Sequence, residues 1–325
     1  MRLHENTKLF GQSIRATAQR MGIAEIYVEK DYWVTLALYT LFNSPIRKET
    51  VFKGGTALSK CFGLIERFSE DIDLVMVRNE GEGTSRMERK VKLPSQVIGE
   101  ILPEIQVEGL TYKKGMLRKT VHQYSKQFAG EFGQVRDFLV LEASYLGRYE
   151  PFHEKNINSY IGEMMHDVAQ FELAKEYGML PFSVQVMHVN RTICEKIMSL
   201  VRFSYGVNPL QQLNDKVRHT YDIHQLMKIE AMKSFVHSVD FETMLKNVAE
   251  DDKLSFKKDN EWLENHPSEA YLFKNVEKVW KQLKSTYQND FGKMVYGNLP
   301  VEKEIIETLI MLRERLKTIV WNLKV

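Results

Sequence analysis

The stretch VFKGGTALSKCFGLIERFSEDIDLVMV, residues 51–77, constrains the fold of this chain more than any other part of the sequence. A strand-like segment runs into a Gly-Gly pair, a helical segment of about four turns follows, and an alternating acidic and apolar segment predicts a second strand. Glycine lets the backbone turn sharply and approach a ligand closely. Because amide N–H groups at a helix start also favour phosphate, we expect Gly54, Gly55 and Thr56 to cradle the phosphates of a nucleotide.

Two acidic residues, Asp71 and Asp73, follow this helical segment and are separated by one residue. Side chains alternate along a strand, so both carboxylates are expected on one side, where a divalent cation would relieve their repulsion. Mg²⁺ binds one or two carboxylates together with waters and phosphates, and a third acid on a neighbouring strand would complete a two-metal arrangement. Glu142, inside the apolar run FLVLEASY, is the candidate, because a carboxylate there is costly to bury without a partner.

Each of these features also has a simpler interpretation. A Gly-Gly pair is often an ordinary turn, an Asp-x-Asp pair is often solvated, and Glu142 could face water on an edge strand. Their order along the chain, from the strand and glycine turn through a helix to the acidic strand and a later acid, favours nucleotidyl transfer.

The remaining sequence predicts an α+β fold, in which a mixed sheet core with flanking helices is followed by a mainly helical C-terminal region. We expect a loop or insertion at residues 78–92 and Asn190 as the N-cap of a helix. The other expected elements are a helix at 25–42, strands within 135–146 and 182–189, a helix at 190–205, and helices from about residue 232 onward.

Composition indicates an ordinary globular protein. The formal net charge of +2 is too small to indicate a nucleic-acid binder, so any basic surface must be local. Apolar runs fall well short of the roughly 20 residues that a membrane span requires. We therefore expect no membrane association. Cys61 and Cys194 lie far apart and without metal-ligand spacing, which favours a reduced, cytoplasmic compartment.

Several motifs together resemble one family. KGGTALSK and RFSEDIDL are similar to motifs of the AbiEii/AbiGii toxin family, in the nucleotidyltransferase superfamily. VEKDYWVTLAL, CEKIMSLVR and RHTYDIHQL resemble its N-terminal helix, its Glu-Lys helix and its closing Arg-x-x-Tyr-Asp motif. The resemblance runs from about residue 28 to 228, and it implies a nucleotidyltransferase-like domain at 1–185 with a helical domain at 186–325 that completes the active site.

The resemblance also implies roles for individual residues. Lys196 would neutralise the triphosphate and Asp222 would belong to the active site, although Lys196 could instead pair with an acid and Asp222 could brace a helix. Ser69 could bond the nucleotide or satisfy a turn, and Arg67 could make a bidentate contact or a structural pair. With Ser69 and Glu142, which come from the residue pattern rather than the resemblance, the predicted set is nucleotide-binding Gly54, Gly55, Thr56, Ser69 and Lys196, metal-binding Asp71, Asp73 and Glu142, and catalytic Asp71, Asp73, Glu142, Lys196 and Asp222.

By resemblance, the expected activity is that of a toxin in abortive infection, a form of antiviral defence, controlled by a cognate antitoxin. It would transfer NMP from an NTP to the 3′ end of tRNA with Mg²⁺ (or Mn²⁺) and so block translation. The alternatives are nucleotidylation of a protein or small-molecule hydroxyl, and a non-catalytic nucleotide- or RNA-binding module. Two basic patches would suit RNA: Lys113, Lys114, Arg118, Lys119 and Lys126 with Tyr112 and Tyr124, and Lys274, Lys278 and Lys281.

Overall fold

The computed structural model describes residues 1–130, 136–255 and 259–324, which form two compact units. The first unit comprises Met1–Gly63, Phe68–Tyr145 and Phe152–Met187. The second comprises Leu64–Arg67, Leu146–Pro151 and His188–Val325, so two short segments of the N-terminal half belong to it. The predicted functional division after residue 185 stays a prediction. Val135, the first residue of a predicted strand, lies outside the described residues.

The first unit is built on a mixed sheet, as the α+β expectation requires. Among the described residues the strand order is β3-β5-β6-β2-β1-β8-β7, and β4 pairs with β5. The pairs β1–β8 and β2–β6 are parallel, and the others are antiparallel. The strands are β1 (Thr50–Lys53), β2 (Ile72–Met76), β3 (Glu104–Ile105), β4 (Tyr112–Lys114), β5 (Leu117–His122), β6 (Leu139–Ser144), β7 (Phe152–Ile157) and β8 (Phe182–Met187).

Helix α2 lies in the core of this unit and has the predicted bounds. Its apolar side chains, such as Trp33 and Leu38, belong to the main hydrophobic cluster. Asn6 caps the preceding helix by accepting the Leu9 N–H at 3.1 Å. The helices are α1 (Thr7–Met21), α2 (Glu25–Phe42), α3 (Gly54–Lys60), α4 (Thr84–Lys90), α5 (Leu93–Gly99), α6 (Tyr160–Asp167) and α7 (Phe171–Glu176).

The two faces of the sheet differ around β2 and β6. Ile72 and Leu74 of β2 and Leu141 of β6 all belong to the hydrophobic cluster. Asp73 and Glu142 alternate with these residues and therefore lie on the opposite face. The core fixes the register of both strands, because a slip of one residue would bury these two carboxylates among apolar side chains.

Three local predictions were wrong. The helix after the glycine pair ends at Lys60 rather than running for four turns, and Gly63 follows with a positive φ of 61° that a continuing helix cannot accommodate. The segment 78–92, expected to be a loop or insertion, contains α4, so it is not a loop throughout. The helix that begins at Val189 is capped by His188, whose ring accepts the N–H of Asn190 at 3.2 Å, so Asn190 is inside the helix.

The second unit is helical among its described residues. The sequence predicts two apolar helix faces here: the first, Val276, Val279, Trp280 and Leu283, is buried. Of the second face, Ile305, Leu309, Leu312 and Leu316 are buried, whereas Leu323 is half-buried and lies beyond the last helix, which ends at Lys317. No helix in the described part of the chain is both long and apolar enough to span a membrane. The helices are α8 (Val189–Ser204), α9 (Pro209–Asp215), α10 (Val217–Met227), α11 (Glu230–His237), α12 (Val239–Ser255), α13 (Tyr271–Lys274), α14 (Val276–Ser285) and α15 (Glu302–Lys317).

Candidate active site

The turn between β1 and α3 packs directly against one of the predicted metal ligands. Gly54 has a φ of +83°, and a Cβ atom added to it would lie 2.3 Å from Oδ2 of Asp73. Any side chain here would therefore displace the carboxylate as well as strain the backbone. Glycine at this position is explained by the close approach of Asp73 to the predicted phosphate cradle.

A short chain of hydrogen bonds connects Thr56 of the predicted phosphate cradle to Asp71. The Thr56 hydroxyl donates to the backbone carbonyl of Asp71 at 2.6 Å, and it lies 3.0 Å from the Ser69 hydroxyl. Since Thr56 has one hydroxyl proton, Ser69 is the donor in the second contact. Both hydroxyl groups thus fix the approach of the chain to Asp71, which immediately precedes β2.

A row of charged side chains, here called the acidic row, crosses the face of the sheet opposite the core. Its centre is Asp73 beside Glu142 in the parallel β2–β6 pair, and its flanks are Lys53 beside Asp73 and Lys119 beside Glu142. Neighbouring strands lie roughly 4.8 Å apart, so the two carboxylates project side by side. The Lys119 ammonium lies 3.6 Å from Oε2 of Glu142. The predicted partner acid therefore lies beside Asp73 rather than on a distant edge.

Arg136 was not anticipated from the sequence. Its Nη1 atom donates to Oδ1 of Asp71 at 3.1 Å, and its backbone N–H donates to the Glu70 carboxylate at 2.9 Å. Asp71 and Arg136 are far apart in the chain, and no local pattern marks a lysine or arginine as the partner of a distant acid. Only the folded sheet brings them together.

The carboxylates of Asp71, Asp73 and Glu142 are chemically suited to bind a divalent cation. Carboxylate oxygens are the donors that Mg²⁺ and Mn²⁺ prefer, and Gly54 leaves the space in which the Asp73 carboxylate sits. Within the described residues, no group of three or more His, Cys, Asp or Glu side chains is placed to hold a metal ion. A site at Asp71, Asp73 and Glu142 therefore stays a prediction.

The second unit contains a buried ionic triad formed by Arg67, Lys196 and Asp222. Arg67 makes two hydrogen bonds to the Asp222 carboxylate, at 2.6 and 2.8 Å, and Nζ of Lys196 donates to Oδ2 at 2.6 Å. All three side chains are almost fully buried. Arg67 thus makes a bidentate pair with a carboxylate inside the protein, and Lys196 pairs with an acid, which is the alternative given for it above. The catalytic roles of Lys196 and Asp222 stay predictions.

Burial and ion pairing shift the pKa values of Asp222 and Lys196 in opposite directions. Burial alone would raise the pKa of Asp222, but the neighbouring charges of Arg67 and Lys196 hold it well below its ordinary value. Burial lowers the pKa of Lys196, and the Asp222 carboxylate counteracts this. Burial also lowers the pKa of His219 well below its ordinary value, so this residue is a neutral imidazole.

The basic patch proposed on residues 112–126 differs from the expectation. Tyr124 is only 4% exposed and stacks on Trp33, so the prediction that it could stack bases is wrong. The basic residues form ion pairs: Lys113 and Arg118 with Glu104, Lys119 with Glu142, and Lys126 with Asp137, whereas the side chain of Lys114 lies outside the described residues. Lys274, Lys278 and Lys281 are exposed, but they do not share one helix: Lys274 is the last residue of α13 and pairs with Glu269 at 2.8 Å, whereas Lys278 and Lys281 lie on α14.

Comparison with known proteins gives one match that covers most of the chain. The family described as "Nucleotidyl transferase AbiEii toxin, Type IV TA system" matches residues 36–310. The chain belongs to this AbiEii family. It is therefore a nucleotidyltransferase of a toxin family, and both the predicted family and the predicted class of enzyme are confirmed.

Solved structures similar to this AbiEii-family chain are remote in sequence. One is a protein from H. pylori assigned as a nucleotidyltransferase, with 15% identity, a TM-score of 0.49, and coverage of 91% of this chain and 96% of that one. Another is MenT4, a nucleotidyltransferase toxin from Mycobacterium tuberculosis H37Rv, with 17% identity, a TM-score of 0.46, and coverage of 92% and 99%. The comparison with curated proteins finds no match. Family membership rests on the sequence match.

Proposed function

We propose that this nucleotidyltransferase transfers NMP from an NTP to the 3′ end of tRNA, with Mg²⁺ (or Mn²⁺), and so blocks translation. The observation that carries the catalytic part is the Asp73 carboxylate lying against Gly54, with Glu142 beside it on the next strand. The tRNA acceptor is supported by the family resemblance and by the exposed lysines of α14.

In the proposed reaction, the acceptor hydroxyl oxygen bonds to the α-phosphorus, the bond to the bridging oxygen breaks, and pyrophosphate leaves. The backbone at Gly54 and Gly55 would bind the phosphates, and Asp71 and Asp73 would hold the cation with Glu142. The proton of the acceptor hydroxyl passes to the Glu142 carboxylate, whose side chain is 37% exposed. When bound, the cation would stabilise the charge that develops on the transferred and leaving phosphates.

We assign Lys196 to charge neutralisation on the nucleotide and Asp222 to holding the Lys196 ammonium group. Lys196→Met is the informative change, because Asp222 keeps its two hydrogen bonds from Arg67 in that variant. Transfer should then fall sharply while the second unit stays folded. If Lys196→Met transfers NMP at the wild-type rate, Lys196 does not take part in the reaction.

A labelling experiment tests the function as a whole. The purified protein is incubated with Mg²⁺, each α-³²P-labelled NTP in turn, and either total tRNA or total protein. Label at the 3′ end of tRNA supports the proposal. Label in protein favours modification of a protein hydroxyl, and the absence of transfer to any acceptor, together with NTP binding, favours a binding module.

Two aspartate variants make the labelling experiment specific. Asp73→Asn keeps the size of the side chain but removes its charge, and we expect it to abolish transfer. Asp167→Asn is the matched control, because Asp167 pairs with Arg20 at the surface of the same unit at 3.1 Å. If Asp73→Asn is as active as the control, the acidic row does not take part in catalysis.

A further inference from the structure

Three consecutive charged residues of α2, Glu29, Lys30 and Asp31, are buried, at 1%, 0% and 4% exposure. A buried charge is costly unless it is paired and hydrogen-bonded. The other buried side chains of this helix are mainly apolar, so packing alone does not require three charges in its middle. The hydrogen-bond and ion-pair partners of these three residues indicate their role.

Lys30 connects the segments that carry Asp71 and Arg136. Its ammonium group pairs with the carboxylate of Glu70, the residue before Asp71. The same ammonium donates to the backbone carbonyls of Arg136 and Phe138, the latter at 2.8 Å. Glu70 in turn accepts the backbone N–H of Arg136 at 2.9 Å. One buried cation thus holds both chain segments that meet in the 3.1 Å contact between Asp71 and Arg136.

The residues on either side of Lys30 hold two further segments. The Glu29 carboxylate accepts the backbone N–H groups of Gln127 and Phe128, at 2.7 and 3.1 Å. Asp31 pairs with Lys60, the last residue of α3, and accepts a backbone N–H of α6. The run therefore anchors the far end of the cradle helix as well as the chain that leads to Arg136.

We propose that Lys30 is a positioning residue for the transfer reaction. It contacts Glu70 and the backbone at 136 and 138, and through them it sets Asp71 and Arg136 in their relative places. This inference rests on the proposed function and extends it to a buried residue that acts through Glu70 and the backbone at 136 and 138. Misplacement of a catalytic group by about 1 Å can cost on the order of 100-fold in rate.

A purely stabilising role gives a different expectation, and a double variant separates the two. Replacing both members of a buried ion pair by apolar residues of similar volume is often neutral for stability. Lys30→Met with Glu70→Met should therefore fold, but it lacks the acceptor for the Arg136 N–H and the donor for the two carbonyls. The loss of these partners also lowers stability, so a control variant with the same kind of loss is needed to separate stability from positioning.

The chain supplies a matched control in Lys90 and Glu82. Lys90 is 4% exposed, pairs with Glu82 at 2.7 Å, and donates to the carbonyl of Val77 at 3.1 Å. This pair repeats the chemistry of Lys30 with Glu70, but it lies beyond the other end of β2. Lys90→Met with Glu82→Met tests the loss of such a pair away from the site.

Three quantities are compared between the two double variants: the unfolding temperature, kcat/KM for transfer, and hydrogen exchange at the Arg136 amide. We expect similar unfolding temperatures, a loss of about 100-fold in kcat/KM only in the Lys30/Glu70 variant, and faster exchange at Arg136 only there. Equal kcat/KM in the two variants, or unchanged exchange at Arg136, would overturn the inference.

Two provisions keep the test decisive. If the Lys30/Glu70 double variant does not fold, Glu70→Gln replaces it: the amide oxygen can still accept the Arg136 N–H, but the ion pair with Lys30 is lost. A loss of at least about tenfold in kcat/KM, corresponding to 1.4 kcal/mol, supports the inference, and wild-type kcat/KM rejects it. Amide exchange needs no turnover. A wild-type protein that transfers to no acceptor would therefore refute the proposed function, whereas unchanged exchange at Arg136 would refute the positioning role.

Discussion

Gly54→Ala is the substitution for which the structure makes the sharpest forecast. The backbone at Gly54 has a φ of +83°, and an added Cβ would lie 2.3 Å from Oδ2 of Asp73. The substitution therefore has two separate effects, a backbone strain that lowers stability and a displacement of the carboxylate that lowers activity. A variant with only the first effect is needed to distinguish them.

The size of each effect follows from the geometry. An alanine held at positive φ costs about 1–2 kcal/mol of folding free energy. To reach van der Waals distance from the new methyl group, the Asp73 carboxylate must withdraw by roughly 1 Å. A displacement of that size in a group that binds the reacting centre costs on the order of 100-fold in kcat/KM. We expect both losses in Gly54→Ala.

Gly22→Ala is the control for backbone strain. Gly22 directly follows α1 with a φ of +67°, and an added Cβ would meet nothing within 4 Å. Urea unfolding should show a loss of about 1–2 kcal/mol in both variants, whereas labelled-NTP transfer should fall only in Gly54→Ala. Full kcat/KM in folded Gly54→Ala, or an equal loss of activity in Gly22→Ala, would refute this account of the turn.

Three further predictions concern the hydroxyl group at Thr56 and the buried triad. Thr56→Val should lower the free energy of unfolding by about 1–3 kcal/mol, because the Asp71 carbonyl loses its donor, and Thr56→Ser should restore most of it in urea unfolding. Arg67→Lys should lose about 2 kcal/mol by the same measurement, since a lysine cannot make both hydrogen bonds to Asp222. The folded-state pKa of Asp222 is depressed, so its contribution to stability is present above the ordinary value of 3.8 and is lost as pH falls below it. When urea unfolding is measured at pH values from 7 to about 3, the free energy of unfolding should fall less in Asp222→Asn than in the wild-type protein. Equal slopes in the two proteins would contradict the depressed pKa.

Local periodicity was sufficient for the elements that position the site. Helix α2 has the bounds read from its apolar spacing, and the strand that carries Asp73 alternates as predicted. The shorter helix α3 could have been anticipated better, since Gly63 marks the position where a left-handed residue follows the helix. Local signals thus predicted α2 and the strand of Asp73, but they missed the end of α3, the helix α4 and the N-cap of α8.

The other features of the candidate site depend on contacts between residues that are far apart in the sequence. The neighbouring placement of Asp73 and Glu142 depends on the parallel pairing of β2 with β6, which no local pattern specifies. The role of the charged residues of α2 could not be predicted from the sequence either, because Lys30 contacts residues 70, 136 and 138, which are distant in the chain. The sequence motifs predict the reacting groups, but they could not reveal the buried contacts around those residues.

The proposed function requires that the acidic residues near Gly54 bind a cation that carries a nucleotide. Its most direct test is a crystal structure with Mn²⁺ and a non-hydrolysable NTP analogue, with anomalous diffraction to locate the ion. We predict an anomalous peak coordinated by Asp71 and Asp73, with the triphosphate along the backbone of Gly54 and Gly55. A nucleotide bound elsewhere, or a Mn²⁺ ion that neither aspartate ligates, would contradict the claim.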